Sequence, residues 1–242
     1  YIWLLAGLFG NILVYLVDPS SLATTFLSVA SLNLIRRVAM FVILNRLFRS
    51  DAAVLANRAD APLAILVGSM LLGSALLGVR WGIGLPATVM AAVMLSVHRG
   101  SSDMRCAGAV LMALSVQLFW APMLFQLLYP EFLSADAAVV AAFLTLTNPD
   151  IIIVENTMFS TNGHAVTLSG ACSSFNNLSL AMLGCVSMIM FFRDRWQASD
   201  IHWVVFICIL MIAMNAARLG VLALDYETYQ YWHNEAGGTI IG

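Results

Sequence analysis

Long apolar stretches separated by short polar breaks set the rhythm of this chain. They run continuously for about 15–20 residues, without the strict alternation of a barrel strand. They predict membrane-spanning helices near 2–17, 20–35, 62–79, 81–97, 106–128, 178–192 and 201–222. The first stretch, "YIWLLAGLFGNILVYLV", has neither a charged leader nor a cleavage site, so it reads as a span rather than a signal peptide. Arg36 and Arg37 close the second span, and "RRVAMFVILNRLFR" reads as an amphipathic helix lying along the interface. A single long tilted helix with both arginines snorkelling is the alternative. The stretch 135–147, "ADAAVVAAFLTLT", has only about thirteen residues, too few to cross a bilayer. It is expected to form a re-entrant or interfacial helix packed near Cys172. The fold class is therefore all-α: a polytopic helical membrane protein of about seven spans plus that extra helix on the outer side. One integral membrane domain covers 1–242, with 1–105 supplying N-terminal spans and 106–242 carrying the candidate chemistry.

Composition sharpens this picture. Of 242 residues, 61% are hydrophobic and 10% charged, and the mean hydropathy is +0.90. A soluble domain carries roughly 25% charged residues, so this chain cannot clothe a water-facing surface and its medium is membrane lipid. The net charge of -2, with no basic tail or patch, argues against a nucleic-acid partner. All eleven cations are arginine. Arg36, Arg37, Arg46, Arg49, Arg58, Arg99, Arg105, Arg193 and Arg195 fall on one set of loops, which the positive-inside rule assigns to the cytoplasm. The opposite loops hold Asp18, Glu131, Asp136, Asp150, Glu155, Asp225, Glu227 and Glu235 against Arg80 and Arg218. A multi-pass protein of the cell membrane follows.

That topology gathers reactive side chains on the outer face. Cys172 lies in "VTLSGACSSFNN", at the outer end of the sixth span, whereas Cys106, Cys185 and Cys208 fall within spans and read as small hydrophobes. Ser169, Gly170, Ser173 and Ser174 flank Cys172 and are small enough for a substrate backbone to approach. Its place before the first turn of a helix favours a thiolate. Arg218, late in an apolar run, is a functional candidate because an ionisable group at membrane depth is costly. Asn215, three residues earlier, shares its face, so the pair supplies donors suited to an oxyanion or a carboxylate. His233 follows the interfacial aromatics "YQYW", and His164, eight residues before Cys172, is its rival. Neither metal-ligand spacing nor a glycine-rich phosphate loop occurs, so no metal or cofactor is expected. Thiol, imidazole and an anion-stabilising group make the kit of a thiol acyl-transfer enzyme.

Three stretches, in this order and on this topology, carry a resemblance. "LSGACSSF" at 168–175, "NAARLG" at 215–220 and "WHNEAGG" at 232–238 resemble the exosortase/archaeosortase family. "FWAPMLFQLL" at 119–128 and "VENTMFSTNGHAVTLSG" at 154–170 are also similar to its pattern. Ser174 stands where that family commonly has glycine, and Leu219 where it often has isoleucine. The resemblance implies a transmembrane cysteine protease-transpeptidase that processes C-terminal sorting signals of exported proteins. It implies Cys172 as nucleophile, Arg218 as electrostatic partner and His233 as general acid/base. The implied partner is an exported protein whose sorting signal includes its own transmembrane helix. Two other classes compete: a small transporter or channel in which Arg218 binds an anionic solute, and a secretion-system scaffold that uses its spans for packing.

Overall fold

The computed structural model describes residues 28–50, 61–76, 84–97, 101–147, 152–159, 165–170, 173–224 and 226–227. Helix α1 runs Ser28–Arg49, α2 Ala61–Leu76, α3 Gly84–Val97 and α4 Ser102–Ser115. A π-helical turn, Val116–Trp120, joins α4 to α5 (Ala121–Leu127), and α6 follows over Tyr129–Thr147. Strands β1 (Ile152–Val154), β2 (Thr157–Phe159) and β3 (Ala165–Thr167) precede α7 (Ser174–Phe192) and α8 (Ala198–Leu224). The expected first span, 2–17, lies outside the described residues.

Local chemistry explains the main boundaries. Ser101 caps α4 by accepting from the Met104 N–H. Pro122 has no N–H to return to Leu118 and its ring crowds that carbonyl, so the ladder widens just upstream. There the Ala121 N–H donates to the Val116 carbonyl, five residues back. Ser102–Leu127 and Ala198–Ala223 are the two stretches, among the described residues, long and apolar enough to cross a membrane. They coincide with the expected spans 106–128 and 201–222. Gly84–Ser96 and Asn177–Phe192 are shorter apolar helices.

Three expectations change. First, α1 passes through Arg36 and Arg37 without a break, so no separate interfacial helix begins there. Its far half is held inside the bundle: Ala39, Met40, Val42, Ile43 and Leu47 are buried, and so is Arg46. The Arg46 guanidinium donates to the Met190, Phe191 and Arg193 carbonyls and to Asp103 and Asp194, closing the C-terminal end of α7. Second, the helix expected over 135–147 begins at Tyr129 and has 19 residues. Third, the chain is not purely α-helical. β1, β2 and β3 form an antiparallel sheet in that order, with Val154 opposite Thr157 and Met158 opposite Val166. The β-branched "IIIV" followed by a two-residue Glu155-Asn156 turn is the hairpin signal, and Glu155 takes the positive φ of 54° that such turns demand.

Two cores result. One packs α1, α2, α3, α4 and α7, through residues such as Ile43, Val67, Met90, Met94, Leu111 and Leu183. The other packs α6, the sheet and α8: Leu133, Ala137, Val140 and Leu144 meet Met158, Val166 and Leu168, and all meet Ala216, Leu219, Leu222 and Ala223. The second core positions the candidate site.

Candidate functional site

The approach to residue 172 is built strand first. β3 hands the chain to Leu168, which is buried in the second core. The Leu168 N–H donates to the Asn156 carbonyl at 2.7 Å, and Asn156 Nδ2 donates back to the Leu168 carbonyl at 3.0 Å. The β1–β2 turn thus grips the chain four residues before Cys172. Gly170 then passes against aromatic rings. A Cβ built there would lie 3.1 Å from Phe125 Cε1 and 3.2 Å from Tyr129 Cε2, tighter than ordinary van der Waals contact. Glycine is the residue that lets the backbone come this close.

Beyond residue 172 the chain is held again. Ser173 is the N-cap of α7, its hydroxyl accepting from the Phe175 N–H at 3.2 Å. The same hydroxyl donates to Asp136 Oδ2 at 2.7 Å. The Ser174 N–H donates to Asp136 Oδ2 at 3.1 Å, and the Ser174 hydroxyl donates to Asp136 Oδ1. Asp136, on α6, is itself buried. The Phe175 ring lies 4.1 Å from that of Phe132 and 6.0 Å from that of Phe125, centroid to centroid, and Phe125 meets Tyr129 edge-on at 5.3 Å. The "FWAPMLFQLL" stretch therefore supplies both the proline that widens the ladder upstream and the ring on which Gly170 and Phe175 pack.

These contacts alter two readings of the sequence. Ser173 and Ser174 do not offer an open approach to a substrate; they are buried with their hydroxyls turned to Asp136. The N-terminus of α7 is also not left for a thiolate alone, because the Asp136 carboxylate already takes its Ser174 amide. Sequence reading counted Asp136 merely as one outer acidic charge. Its signal was there, a single carboxylate within "ADAAVVAAFL".

Arg218 and Asn215 come from α8. A five-residue link, 193–197, turns the chain from α7 into α8, and the two helices pack on one another as antiparallel neighbours. α7 is about 28 Å long, and Arg218 lies about 30 Å along α8 from Ala198 at 1.5 Å per residue. Arg218 and the Ser173–Ser174 clamp consequently lie towards the same end of the pair, a membrane thickness from the link. Asn215 is buried and Arg218 half-buried. Two residues past Arg218, a Cβ on Gly220 would meet Phe143 Cδ1 at 3.2 Å and Leu144 Cδ2 at 3.3 Å, so α8 and α6 approach closely there. Cys172, His164 and His233 lie outside the described residues. Among the described residues, no three His, Cys, Asp or Glu side chains form a group that can hold a metal ion.

At the far end of the α7–α8 pair, the link carries its own charges. Arg193 donates to Asp200 at 2.6 Å, and Asp200 accepts from the Gln197 N–H at 2.8 Å. The Arg46 guanidinium, hydrogen-bonded to Asp194, holds that carboxyl below the usual carboxylate range.

Comparison with known proteins gives one match. The family model of the transmembrane exosortases (Exosortase_EpsH) matches residues 28–242, most of the chain. Neither a curated protein nor a solved structure matches.

Proposed function

The chain belongs to the transmembrane exosortase family, and from that premise we propose that it is a membrane-embedded cysteine protease-transpeptidase that cleaves C-terminal sorting signals of exported proteins. Cys172 is the nucleophile, Arg218 the electrostatic partner and His233 the general acid/base. His233 takes the thiol proton, and the Cys172 sulfur attacks the scissile carbonyl to give a tetrahedral oxyanion. Arg218, with Asn215 beside it, offsets the charge on that oxygen. Collapse breaks the C–N bond, the imidazolium returns its proton to the leaving amine, and the substrate remains as a thioester on Cys172. Water, or an amine or hydroxyl of a cell-surface molecule, then attacks the thioester and frees the thiol.

The observation that carries this reading is the double anchorage of the chain around residue 172. It is gripped at Leu168–Gly170 and again at Ser173–Phe175, and Leu168 and Arg218's own helix share one core. A nucleophile needs that kind of fixed backbone, because misplacement by about 1 Å is worth about 100-fold in rate. The reading puts the reaction at the outer face of the cell membrane. A substrate tethered by its own transmembrane helix presents its scissile peptide at that depth, and lateral approach in two dimensions raises its effective concentration.

Alanine variants test it. With a co-expressed sorting-signal substrate, Cys172→Ala abolishes processing while the protein accumulates normally. Arg218→Ala and His233→Ala each lower the rate by about 100-fold or more. Normal processing by Cys172→Ala, read by immunoblot and mass spectrometry of the processed C terminus, refutes the proposal.

A further inference from the structure

We propose that Asp136 is a positioning residue for this reaction: its carboxylate fixes the chain immediately C-terminal to Cys172 relative to the helix that bears Arg218. The inference rests on the thiol reading above and adds a residue to it. A buried carboxylate among apolar side chains is unfavourable unless its oxygens are hydrogen-bonded. Asp136 accepts three such bonds, from the Ser173 hydroxyl, the Ser174 N–H and the Ser174 hydroxyl. All three donors come from the two residues that follow Cys172.

Starting helix α7 does not require this carboxylate. The Ser173 hydroxyl already caps the helix by accepting from the Phe175 N–H. What Asp136 adds is a tie between elements. On the same helix, Ala137, Val140 and Leu144 are buried against Ala216, Leu219, Leu222 and Ala223 of α8. Those α8 positions bracket Arg218. Asp136 and Leu144 are eight residues apart on one rod, about 12 Å. Helix α6 is therefore a strut, with the Cys172-flanking serines at one grip and the Arg218 helix at the other. Near Gly220 the second grip is especially close.

The test uses the full chain in lipid nanodiscs with a sorting-signal substrate that carries its own transmembrane helix. Asp136→Asn keeps the side-chain shape and replaces one acceptor by an NH2 group facing the serine donors. Amide hydrogen exchange in the peptide covering 173–180 is expected to rise about 10-fold, as expected of a helix end whose tether is loosened. Turnover per folded molecule is expected to fall about 10- to 100-fold with KM held within about twofold, since geometry rather than substrate binding is lost. Ser174→Ala gives a smaller loss, and adding it to Asp136→Asn makes matters no worse than Asp136→Asn alone. A merely structural role would instead lower the folded amount and leave kcat per folded molecule unchanged. That result, unchanged exchange or fully additive losses would each overturn the proposal. Should Asp136→Asn fail to accumulate, Ser174→Ala, which leaves the Ser173 cap in place, carries the same exchange and kcat comparison. Cys172→Ala in parallel keeps slow exchange and loses all processing. Full processing by Cys172→Ala would remove the thiol reading and the role of Asp136 in it, while the exchange rates would still report whether the tie exists.

Discussion

Gly170 shows how narrowly single residues shape this site. The chain two residues before Cys172 runs against the edges of Phe125 and Tyr129, leaving too little space for a side chain. Gly170→Val forces those rings apart, and overpacking of this kind costs about 1–3 kcal/mol. The expected outcome is a lower unfolding temperature in detergent together with slower substrate processing, and unchanged values of both would show that the packing is not needed. Gly170→Ala should lie between, because ring edges can give by a few tenths of an ångström. Asp136 is the buried carboxylate whose partners the sequence does not reveal. As a charge on a loop it was legible; as the partner of Ser173 and Ser174 it was not, since the contact joins positions 37 and 38 residues apart. Cys172 and Arg218 stood out in the sequence because each is a reactive group in apolar or small-residue company. Asp136 carries the same mark, a lone carboxylate among alanines and valines, but not the identity of its partners.

Among the elements, apolar runs of helical length were the most legible feature, and those at 106–128 and 201–222 coincide with helices fit to cross a membrane. Boundaries marked by charge were less so. Arg36 and Arg37 read as a stop, yet α1 continues because its next three turns bury Ala39, Ile43 and Leu47 and because Arg46 finds its partners at the end of α7. The sheet was missed because each of its strands has only three residues, a signal swamped by helical runs on both sides. The Arg46 lock joins α1, α4 and the α7–α8 link through Asp103 and Asp194. With the Asp194 carboxyl held below the ordinary range, chiefly by its hydrogen bond to Arg46, folding favours its ionised form. That contribution is fully present above the unfolded carboxyl value and is lost as pH falls through the depressed folded value. Unfolding of the parent chain and of Asp194→Asn should therefore differ most near neutral pH and converge in acid. The difference is expected to be small, because Asp194 is largely exposed; a gap that widens in acid would contradict the assignment.

At the scale of the whole molecule, the fold separates two tasks. One core, built on α1, α2, α3, α4 and α7, makes the helical body; the other, built on α6, the sheet and the end of α8, holds Leu168, four residues before Cys172. Helix α7 starts at the Asp136 clamp and ends under the Arg46 lock at the first core. In the proposed reaction this division would serve a body that holds position in lipid and a fixed backbone beside the nucleophile. The decisive measurement is peptide-level mass spectrometry of the protein acid-quenched during its first turnover of substrate, with amine and hydroxyl acceptors withheld. A thioester mechanism leaves the N-terminal part of the substrate joined to the Cys172 peptide, with the mass of that acyl group added and with release by hydroxylamine. Cleaved substrate with no adduct on Cys172 at any quench time within the first turnover, or an adduct on another residue, would contradict it.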